Sequence, residues 1–373
     1  MKIVIAPDKF KGSLTALEVC DIIKASLINK NPKLIIDTVP LADGGEGTCE
    51  LLTNLSEGRM VTIEVQDPLR RKINSTYGIS GDGKVAFIEM ALASGLQLLK
   101  PAERNCLVTS TFGTGQFIKH AIDHGIREIV LGIGGSTTND AGMGMAQALG
   151  FRFISKSGKT LEGIGKNLIE IAEIDNSNVH PNLKNTEFTI LSDVENSLYG
   201  SNGAAFVFAK QKGASEDDIN LLDEGLRNFA QVAQQMSCDV MFPGSGAAGG
   251  LGAGAKLFLN AQIRSGIDFI NEFTQLKEKI EHADLVITGE GKVDSQTLSG
   301  KVVKGVATIA HQYQKKLILI CGICELSKQQ LEQLGIAQLI SLHDTETSVS
   351  KAMKNAKTIL YEKARRIQTE TGQ

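Results

Sequence analysis

The chain has 373 residues, of which 42% are hydrophobic, and this length favours two domains or one large α/β unit. Its formal net charge of -3 gives no electrostatic reason to expect a nucleic acid or an anionic membrane as a partner. The 39 glycines and the absence of tryptophan are typical of α/β enzymes, and less so of proteins that stack bases or sugars on aromatic rings.

The first apolar run, residues 3–5, predicts a buried strand that leads into a loop over residues 7–13. Thr15 and Glu18 then have the spacing of a capping box, which predicts the start of a helix. The apolar run is too short for a signal peptide, and no stretch approaches the roughly 18 apolar residues of a membrane helix. Since the six cysteines are scattered, we expect a reduced, cytoplasmic protein.

The strand, loop and helix pattern repeats along the next part of the chain. Residues 34–39 predict a strand, residues 41–47 a glycine-rich loop and residues 48–55 a short helix. Three short strand-like runs follow, and the turn residues between them predict antiparallel pairing: 59–67, 72–79 and 84–90.

The last part of the chain returns to the first pattern. Residues 284–288 predict a strand and residues 289–300 a glycine-rich loop, followed by a helix face over residues 302–310. Two further strands, 317–320 and 338–342, are separated by a polar helix over 327–334. We therefore predict an α/β fold with two domains. Residues 1–65 and 280–373 form a doubly wound, mostly parallel sheet domain of Rossmann-like or flavodoxin-like type, and residues 66–279 form an inserted mixed α/β domain.

Charged residues are concentrated in loops that follow predicted strands. Because ligands bind at the carboxyl ends of strands in an open parallel sheet, we expect these loops to line a ligand site. They bring carboxylates, lysines and glycines: Asp8, Lys9 and Lys11; Asp43 and Glu46; Asp193 and Glu195; Glu290, Asp294 and Lys301. This mixture favours Mg²⁺-assisted phosphoryl transfer, in which carboxylates hold the metal while glycine N–H groups and lysines hold phosphates.

Each loop also has a structural interpretation. Glycines often only turn the chain, and aspartates often cap helices. The stretch GIGGSTTNDAGMGM, residues 132–145, follows an apolar run, and its first residues, 132–136, are a candidate phosphate cradle. Asp140 is equally consistent with capping a helix that begins near Ala141 and with ligand contact. Lys9 is equally consistent with a solvated surface residue.

Other motifs are weaker. Gly244, Gly246 and Gly249 match G-x-G-x-x-G, but no long strand precedes them, and no GxxxxGK[ST] loop is present. Cys321 and Cys324 have the spacing of a redox dithiol after a strand, although two small buried residues explain them as well. The six histidines show no metal-ligand spacing.

At this level of detail the chain resembles the type I glycerate kinases of bacteria. The resemblance extends in order over nearly the whole sequence, through IAPDKFKGSLTA, PLADGGEGT, EMALASGL, RNCLVTSTFGTG, GIGGSTTNDAGMGMAQALG, SDVENSLYG, QKGA, PGSGAAGGLGAG and DLVITGEGKVDSQTLSGKVVKGVA. It implies ATP-dependent phosphorylation of D-glycerate to 2-phosphoglycerate with Mg²⁺, in the cleft between two α/β domains. Only the resemblance favours the 2-hydroxyl.

Within this interpretation we assign the candidate residues as hypotheses. Asp193 is the predicted base for the glycerate hydroxyl, and Lys11 and Lys301 are predicted phosphate or transition-state partners. The predicted substrate contacts are Asp8, Lys9 and Arg104, with Arg104 on the carboxylate. The metal candidates are Asp43, Glu46, Glu290 and Asp294, and the nucleotide candidates are Gly132, Gly134, Gly135, Ser136, Gly289 and Gly291.

Three alternatives remain open at this point: a kinase for another small hydroxy acid, a nucleotide-binding regulator without catalysis, and a redox enzyme that uses Cys321 and Cys324. Assembly into a homo-oligomer is compatible with all of them.

Overall fold

The structure, a computed structural model, describes residues 1–42, 44–299, 302–343 and 349–368. Its contacts divide the chain into two compact units. The first unit combines the beginning of the chain, up to residue 42, with the residues from 267 onward, and the second unit begins at residue 44 and ends at residue 266.

In the described ranges the strands are β1 Lys2–Pro7, β2 Ile35–Thr38, β3 Arg59–Gln66, β4 Lys72–Ile79, β5 Val85–Glu89, β6 Glu128–Gly132, β7 Arg152–Ser155, β8 Thr160–Leu161, β9 Ile171–Asp175, β10 Glu187–Leu191, β11 Gln262–Arg264, β12 Leu285–Val293, β13 Lys316–Cys324 and β14 Ile336–Ser341. The helices are α1 Ala16–Lys30, α2 Thr48–Leu55, α3 Ala91–Ser94, α4 Phe112–Asp123, α5 Met143–Ala148, α6 Ala204–Phe208, α7 Glu216–Gln235, α8 Ala247–Leu259, α9 Gly266–Phe273, α10 Leu276–Glu281, α11 Ser295–Ser299, α12 Val302–Gln312, α13 Lys328–Gln333, α14 Val349–Lys354 and α15 Ala356–Ala364.

The first unit contains a five-stranded sheet in the order β14-β13-β12-β1-β2. All neighbouring strands are parallel. Numbered by position along this unit, the order is 2-1-3-4-5, which is the flavodoxin-like variant of the doubly wound fold. The predicted α/β fold class is therefore confirmed.

Helices cover both faces of this sheet. On one face, α1 and α15 pack on Ile3, Ile5 and Leu285 in a buried apolar cluster. On the other face, Val303 of α12 packs with Val293 and Leu319. The predicted start of α1 is confirmed, because Thr15 Oγ1 accepts a hydrogen bond from Glu18 N and Glu18 Oε2 accepts one from Thr15 N.

The glycine-rich segment 289–300 differs from the loop that the sequence predicts. Strand β12 continues to Val293, because strand β13 also continues beyond its predicted end, to Cys324, and the two extensions pair in parallel. Gly289 permits this pairing, since a Cβ atom there would lie 2.1 Å from the carbonyl oxygen of Ile320. Short helix α11 then follows within the segment predicted as loop.

The second unit contains a six-stranded mixed sheet in the order β11-β10-β6-β5-β4-β3. Strands β5, β6, β10 and β11 are parallel, whereas β3, β4 and β5 pair in the predicted antiparallel manner. A small antiparallel sheet, β8-β7-β9, accompanies it. The pairing of β3 with β4 places residues 59–66 in the second unit, whereas the predicted boundary lies near residue 65. At the other end the second unit ends at residue 266, whereas the predicted boundary lies near residue 280.

One large apolar core holds the second unit together. It includes Phe117 of α4, Leu131 of β6, Phe153 of β7 and Phe229 of α7. Among the described residues of both units, no helix is at once long enough and apolar enough to span a membrane.

Candidate functional site

In the first unit, the loop after β1 lies beside the end of β12. The N–H of Asp8 donates to the carbonyl of Gly289 at 2.8 Å. A Cβ atom on Gly291 would lie 3.0 Å from the backbone nitrogen of Lys11, so the loop that carries Lys9 and Lys11 packs directly on β12. This place, between β1 and β12, is the topological switch point of the sheet, where ligands bind in doubly wound folds.

Two acidic residues at the end of β12, Glu290 within the strand and Asp294 just after it, are linked by hydrogen bonds through Thr297. Thr297 is buried and donates its hydroxyl to Glu290 Oε1 at 2.6 Å, and its hydroxyl oxygen accepts the N–H of Asp294 at 3.0 Å. Lys292 Nζ lies 3.2 Å from Asp294 Oδ2 and 3.0 Å from Glu325 Oε2. The negative charge at this edge is thus partly balanced within the unit itself.

Of the predicted residues in this unit, Asp8, Lys9, Lys11, Glu290 and Asp294 therefore lie in one region. Gly289 and Gly291 lie there too, and close strand packing already explains why both are glycine. Asp43 and Lys301 fall outside the described residues.

In the second unit, two glycine-rich loops pack on each other at the carboxyl edge of the sheet. A Cβ atom on Gly132 would lie 2.7 Å from the carbonyl oxygen of Gly44, and one on Gly134 would lie 2.9 Å from the Cα of Gly45. Gly135 has a φ of +75°, a backbone conformation that favours glycine. The exposed residue Glu46 lies in the first of these loops. Packing and turn geometry thus require these glycines, and the loops reach the edge where ligands bind.

Glu89, at the end of β5, is a buried carboxylate that the residue-by-residue reasoning missed. Its Oε2 accepts the N–H of Gly47 at 2.9 Å, which fixes the glycine loop to the sheet. The only sequence signal was the stretch EMALASGL, which carried part of the resemblance but no assigned role.

Asp193 follows β10 at the same edge of the second unit. Its Oδ1 accepts the N–H of Gly266 at 3.1 Å, and the N–H of Ser192 donates to the carbonyl of Arg264 at 3.0 Å. Asp193 is half-buried as a residue, its Oδ1 is held by Gly266 N, and its Oδ2 has almost no solvent exposure.

Asp140 is a capping residue. It is fully buried, and its carboxylate accepts hydrogen bonds from Thr111 N and Thr111 Oγ1, both at 2.8 Å, and from Gly142 N and Gly144 N. Thr111 immediately precedes α4 and Gly142 immediately precedes α5, so one carboxylate satisfies donors at two helix starts. Burial raises the pKa of Asp140, and these hydrogen bonds oppose the rise. Of the two interpretations open from sequence, the structural one accounts for all of these contacts.

Lys212 was not singled out from the sequence, although it lies in the stretch QKGA that carries part of the resemblance. It is 2% exposed, and its Nζ donates to Ser136 Oγ at 2.9 Å and to the carbonyl of Thr138 at 2.8 Å. Burial lowers the pKa of Lys212 to about 8. The segment also lies against Arg104, whose Cβ is 3.1 Å from the position that a Cβ on Gly213 would take.

The two cysteines of the CGIC stretch lie within β13 rather than after it. Cys321 packs in a buried cluster with Val293, Val303 and Leu319, and burial raises the pKa of its thiol. Because the thiolate is the reactive form, this environment favours a packing role over redox chemistry.

In the part of the chain that the structure describes, no three His, Cys, Asp or Glu side chains come together as a group that could hold a metal ion. A metal that is held by one or two carboxylates and by phosphate oxygens does not need such a group.

Comparison with known proteins agrees with this architecture. The model of the glycerate kinase family matches residues 3–371. The chain is 43% identical to a glycerate kinase of Bacillus cereus and 43% identical to the glycerate 2-kinase of Escherichia coli K12, in each case over 95% of this chain and 94% of the relative. A crystal structure assigned to glycerate kinase 2 of Salmonella typhimurium LT2 superimposes with a TM-score of 0.88 at 43% identity, covering 98% of this chain and 96% of that one.

The match extends over both units and includes the segments that form the carboxyl edges of both sheets. From this extent and identity, the chain belongs to the glycerate kinase family.

Proposed function

We propose that this protein transfers the γ-phosphoryl group of ATP to the 2-hydroxyl of D-glycerate. The observation that carries the proposal is the 43% identity to a glycerate 2-kinase over 95% of the chain. The geometry of each unit supports it, because lysines, carboxylates and glycine-rich loops lie at the carboxyl ends of parallel strands, where ligands bind.

For the phosphates of the nucleotide we propose Lys11 and Lys301 of the first unit as partners. Asp8 and Lys9, which lie on the same loop as Lys11, are proposed to contact the acid substrate. The site at the switch point supports this assignment, since the loop carrying Lys9 and Lys11 packs on β12. The backbone positions proposed to approach phosphates are Gly289 and Gly291 in the first unit and Gly132, Gly134, Gly135 and Ser136 in the second.

The donor set after β12 fits Mg²⁺. The hydroxyl of Thr297 links the carboxylate of Glu290 to the backbone N–H of Asp294, so both acidic residues lie in one small region. Mg²⁺ in kinases takes one or two carboxylates together with phosphate oxygens. Asp43 and Glu46 remain candidates as well. When bound, the ion would neutralise charge on the transferred phosphoryl group.

For the chemical step we propose Asp193 as the base that accepts the proton of the attacking hydroxyl. The bond from Gly266 N to Asp193 Oδ1 supports this role, because it holds the carboxylate in one orientation at the strand end. Arg104 is proposed to bind the glycerate carboxylate.

A coupled ATP assay with D-glycerate tests the proposal, followed by phosphorus NMR of the product. We expect turnover with D-glycerate and a product resonance that coincides with added 2-phosphoglycerate. L-glycerate, lactate and glycolate serve as comparison substrates.

A resonance that coincides with 3-phosphoglycerate would contradict the proposed regiochemistry. Turnover only with another hydroxy acid would favour a kinase for that acid. ATP binding without any turnover would favour a nucleotide-binding regulator.

A further inference from the structure

We infer that Lys212, together with Thr137, Thr138, Asn139 and Ser245, forms the binding site for the carboxylate end of the acid substrate. This inference rests on the proposed function and deepens it, because it assigns to the acceptor acid a buried cation that has no other assigned role. Lys212 would then be a second cation for this carboxylate, beside Arg104, which the sequence analysis predicts as its partner.

The first argument is electrostatic. Lys212 is buried and forms no ion pair with a described residue; its two hydrogen bonds go to a hydroxyl and to a backbone carbonyl, which leaves one of its three N–H donors without a partner. Asp140 is the nearby carboxylate, but it is already bonded to Thr111, Gly142 and Gly144. A buried ammonium without a counter-ion is unfavourable, so an anion that binds here would be strongly stabilised.

The second argument is a set of buried polar atoms without partners in the described structure, four in the loop that Lys212 contacts and one, on Ser245, just before α8. In the described structure five side-chain atoms have no hydrogen-bond partner, although their residues are 0% exposed: Thr137 Oγ1, Thr138 Oγ1, Asn139 Nδ2, Asn139 Oδ1 and Ser245 Oγ. Native interiors satisfy such atoms almost without exception, and a group of them indicates bound molecules. Asp140, the next residue, is by contrast fully bonded.

The segments that carry these atoms pack closely on each other. A Cβ atom on Gly249 would lie 2.1 Å from the carbonyl oxygen of Thr138, and Ala141 N donates to the carbonyl of Gly249 at 3.1 Å. Lys212 is bonded to the same loop through Ser136 and Thr138. Ser136, which accepts a hydrogen bond from Lys212, is 8% exposed and follows the exposed Gly135. The loop that binds the buried ammonium therefore reaches the surface of the unit at Gly135.

The chemistry of the group favours a small hydroxy acid over the nucleotide. One buried ammonium matches the single charge of a carboxylate, whereas a triphosphate carries several charges. The hydroxyls of Thr137, Thr138 and Ser245 and the amide of Asn139 both donate and accept hydrogen bonds, as the hydroxyls of the substrate do.

The test compares two lysines of one short 3₁₀ helix, Lys210–Lys212, which follows α6. Lys212→Met removes the buried ammonium, and Lys210→Met removes the exposed one two residues earlier and is the control. We expect Lys212→Met to raise the KM for D-glycerate by about 10- to 100-fold, the loss of a charge-assisted hydrogen bond, with the KM for ATP changed less than about twofold. Lys210→Met should leave both constants unchanged.

A neutral analogue adds a readout that a purely structural role would not change. The wild-type protein should prefer D-glycerate to D-glyceramide, and Lys212→Met should lose most of this preference. If Lys212→Met fails to fold, Asn139→Ala replaces it, with an expected rise in the glycerate KM of about tenfold.

Two results would overturn the inference. A rise in the KM for ATP with an unchanged KM for glycerate would assign the cation to the nucleotide. Unchanged constants for folded Lys212→Met would show that water alone occupies the site. Failure of the proposed function is distinguishable, because the wild-type protein would then not phosphorylate D-glycerate at all.

Discussion

The two units differ in how they balance the charges at their strand ends. In the first unit, Glu290 and Asp294 are bonded to Thr297, and Lys292 pairs with Asp294 at 3.2 Å. In the second unit, Lys212 is buried without an ion pair in the described structure, beside hydroxyl and amide groups that lack partners. Charged side chains that are balanced by other groups of the protein are stable when no ligand is bound. A buried side chain whose charge is not balanced indicates a ligand of opposite charge.

The difference also separates two kinds of ligand. Half-buried carboxylates such as Glu290 and Asp294 suit a solvated cation that arrives with phosphates and keeps part of its water shell. A buried ammonium suits an anion that leaves its water behind. The contrast therefore favours Glu290 and Asp294 among the proposed metal ligands and supports the proposed binding of the substrate carboxylate beside Lys212.

The largest expected effect concerns the chemical step in the second unit. Asp193→Asn keeps the acceptor for Gly266 N but removes the base, so kcat should fall by about 10²-fold or more. Steady-state kinetics with saturating D-glycerate and ATP measure it. Glu195→Gln, an exposed carboxylate two residues later, is the control and should retain turnover. If Asp193→Asn turns over like the wild type, another group is the base.

The second prediction separates satisfied from unsatisfied polar residues within one loop. Asp140→Asn places an NH₂ group against N–H and O–H donors, so the free energy of unfolding should fall by about 2 kcal/mol. Asn139→Ala removes a side chain without partners and should change stability by less than about 0.5 kcal/mol while raising the glycerate KM. Urea unfolding measures both. A larger loss for Asn139→Ala would mean that its side chain is structural.

The third prediction concerns the first unit. Glu290→Gln keeps a side-chain oxygen for the hydroxyl of Thr297 but removes the charge, so the Mg²⁺ concentration for half-maximal activity should rise about tenfold. Glu325→Gln is the control, since Glu325 shares its partner Lys292 with Asp294 and has no described bond to Thr297. Equal Mg²⁺ dependence of both variants would remove Glu290 from the metal candidates.

The smallest effect is a pH dependence specific to the acid substrate. Because burial lowers the pKa of Lys212 to about 8, the ammonium form is lost as pH rises through that value. Cys106 and Asp140, the ionisable groups beside Lys212, raise its pKa, but by less than burial lowers it. The kcat/KM for D-glycerate should therefore fall several-fold between pH 8 and pH 9, approaching about tenfold per unit at higher pH.

The kcat/KM for ATP at saturating glycerate is the internal control for this profile and should not show the same fall. Lys212→Arg, which stays charged, should flatten the glycerate profile if the variant binds the substrate at all. An identical fall for ATP in the wild type would show that the titrating group belongs to the nucleotide site.

The sequence alone predicted most of the secondary structure and the family. The capping box of Thr15 and Glu18, the helix over residues 48–55 and the antiparallel run from 59 to 90 follow from patterns that lie within a few residues of one another. Such patterns are local, so they are readable without the fold. The resemblance supplied the family because its motifs occur in order along nearly the whole chain.

Only the tertiary structure decided the roles of residues whose partners are distant in the sequence. Asp140 is a cap because Thr111, 29 residues earlier, directs its N–H and hydroxyl at it. The extension of β12 depends on β13, and the bond that places Lys212 joins residues 76 apart. Burial and hydrogen bonding arise from such long-range packing, so no spacing along the chain could have identified a buried lysine without a counter-ion.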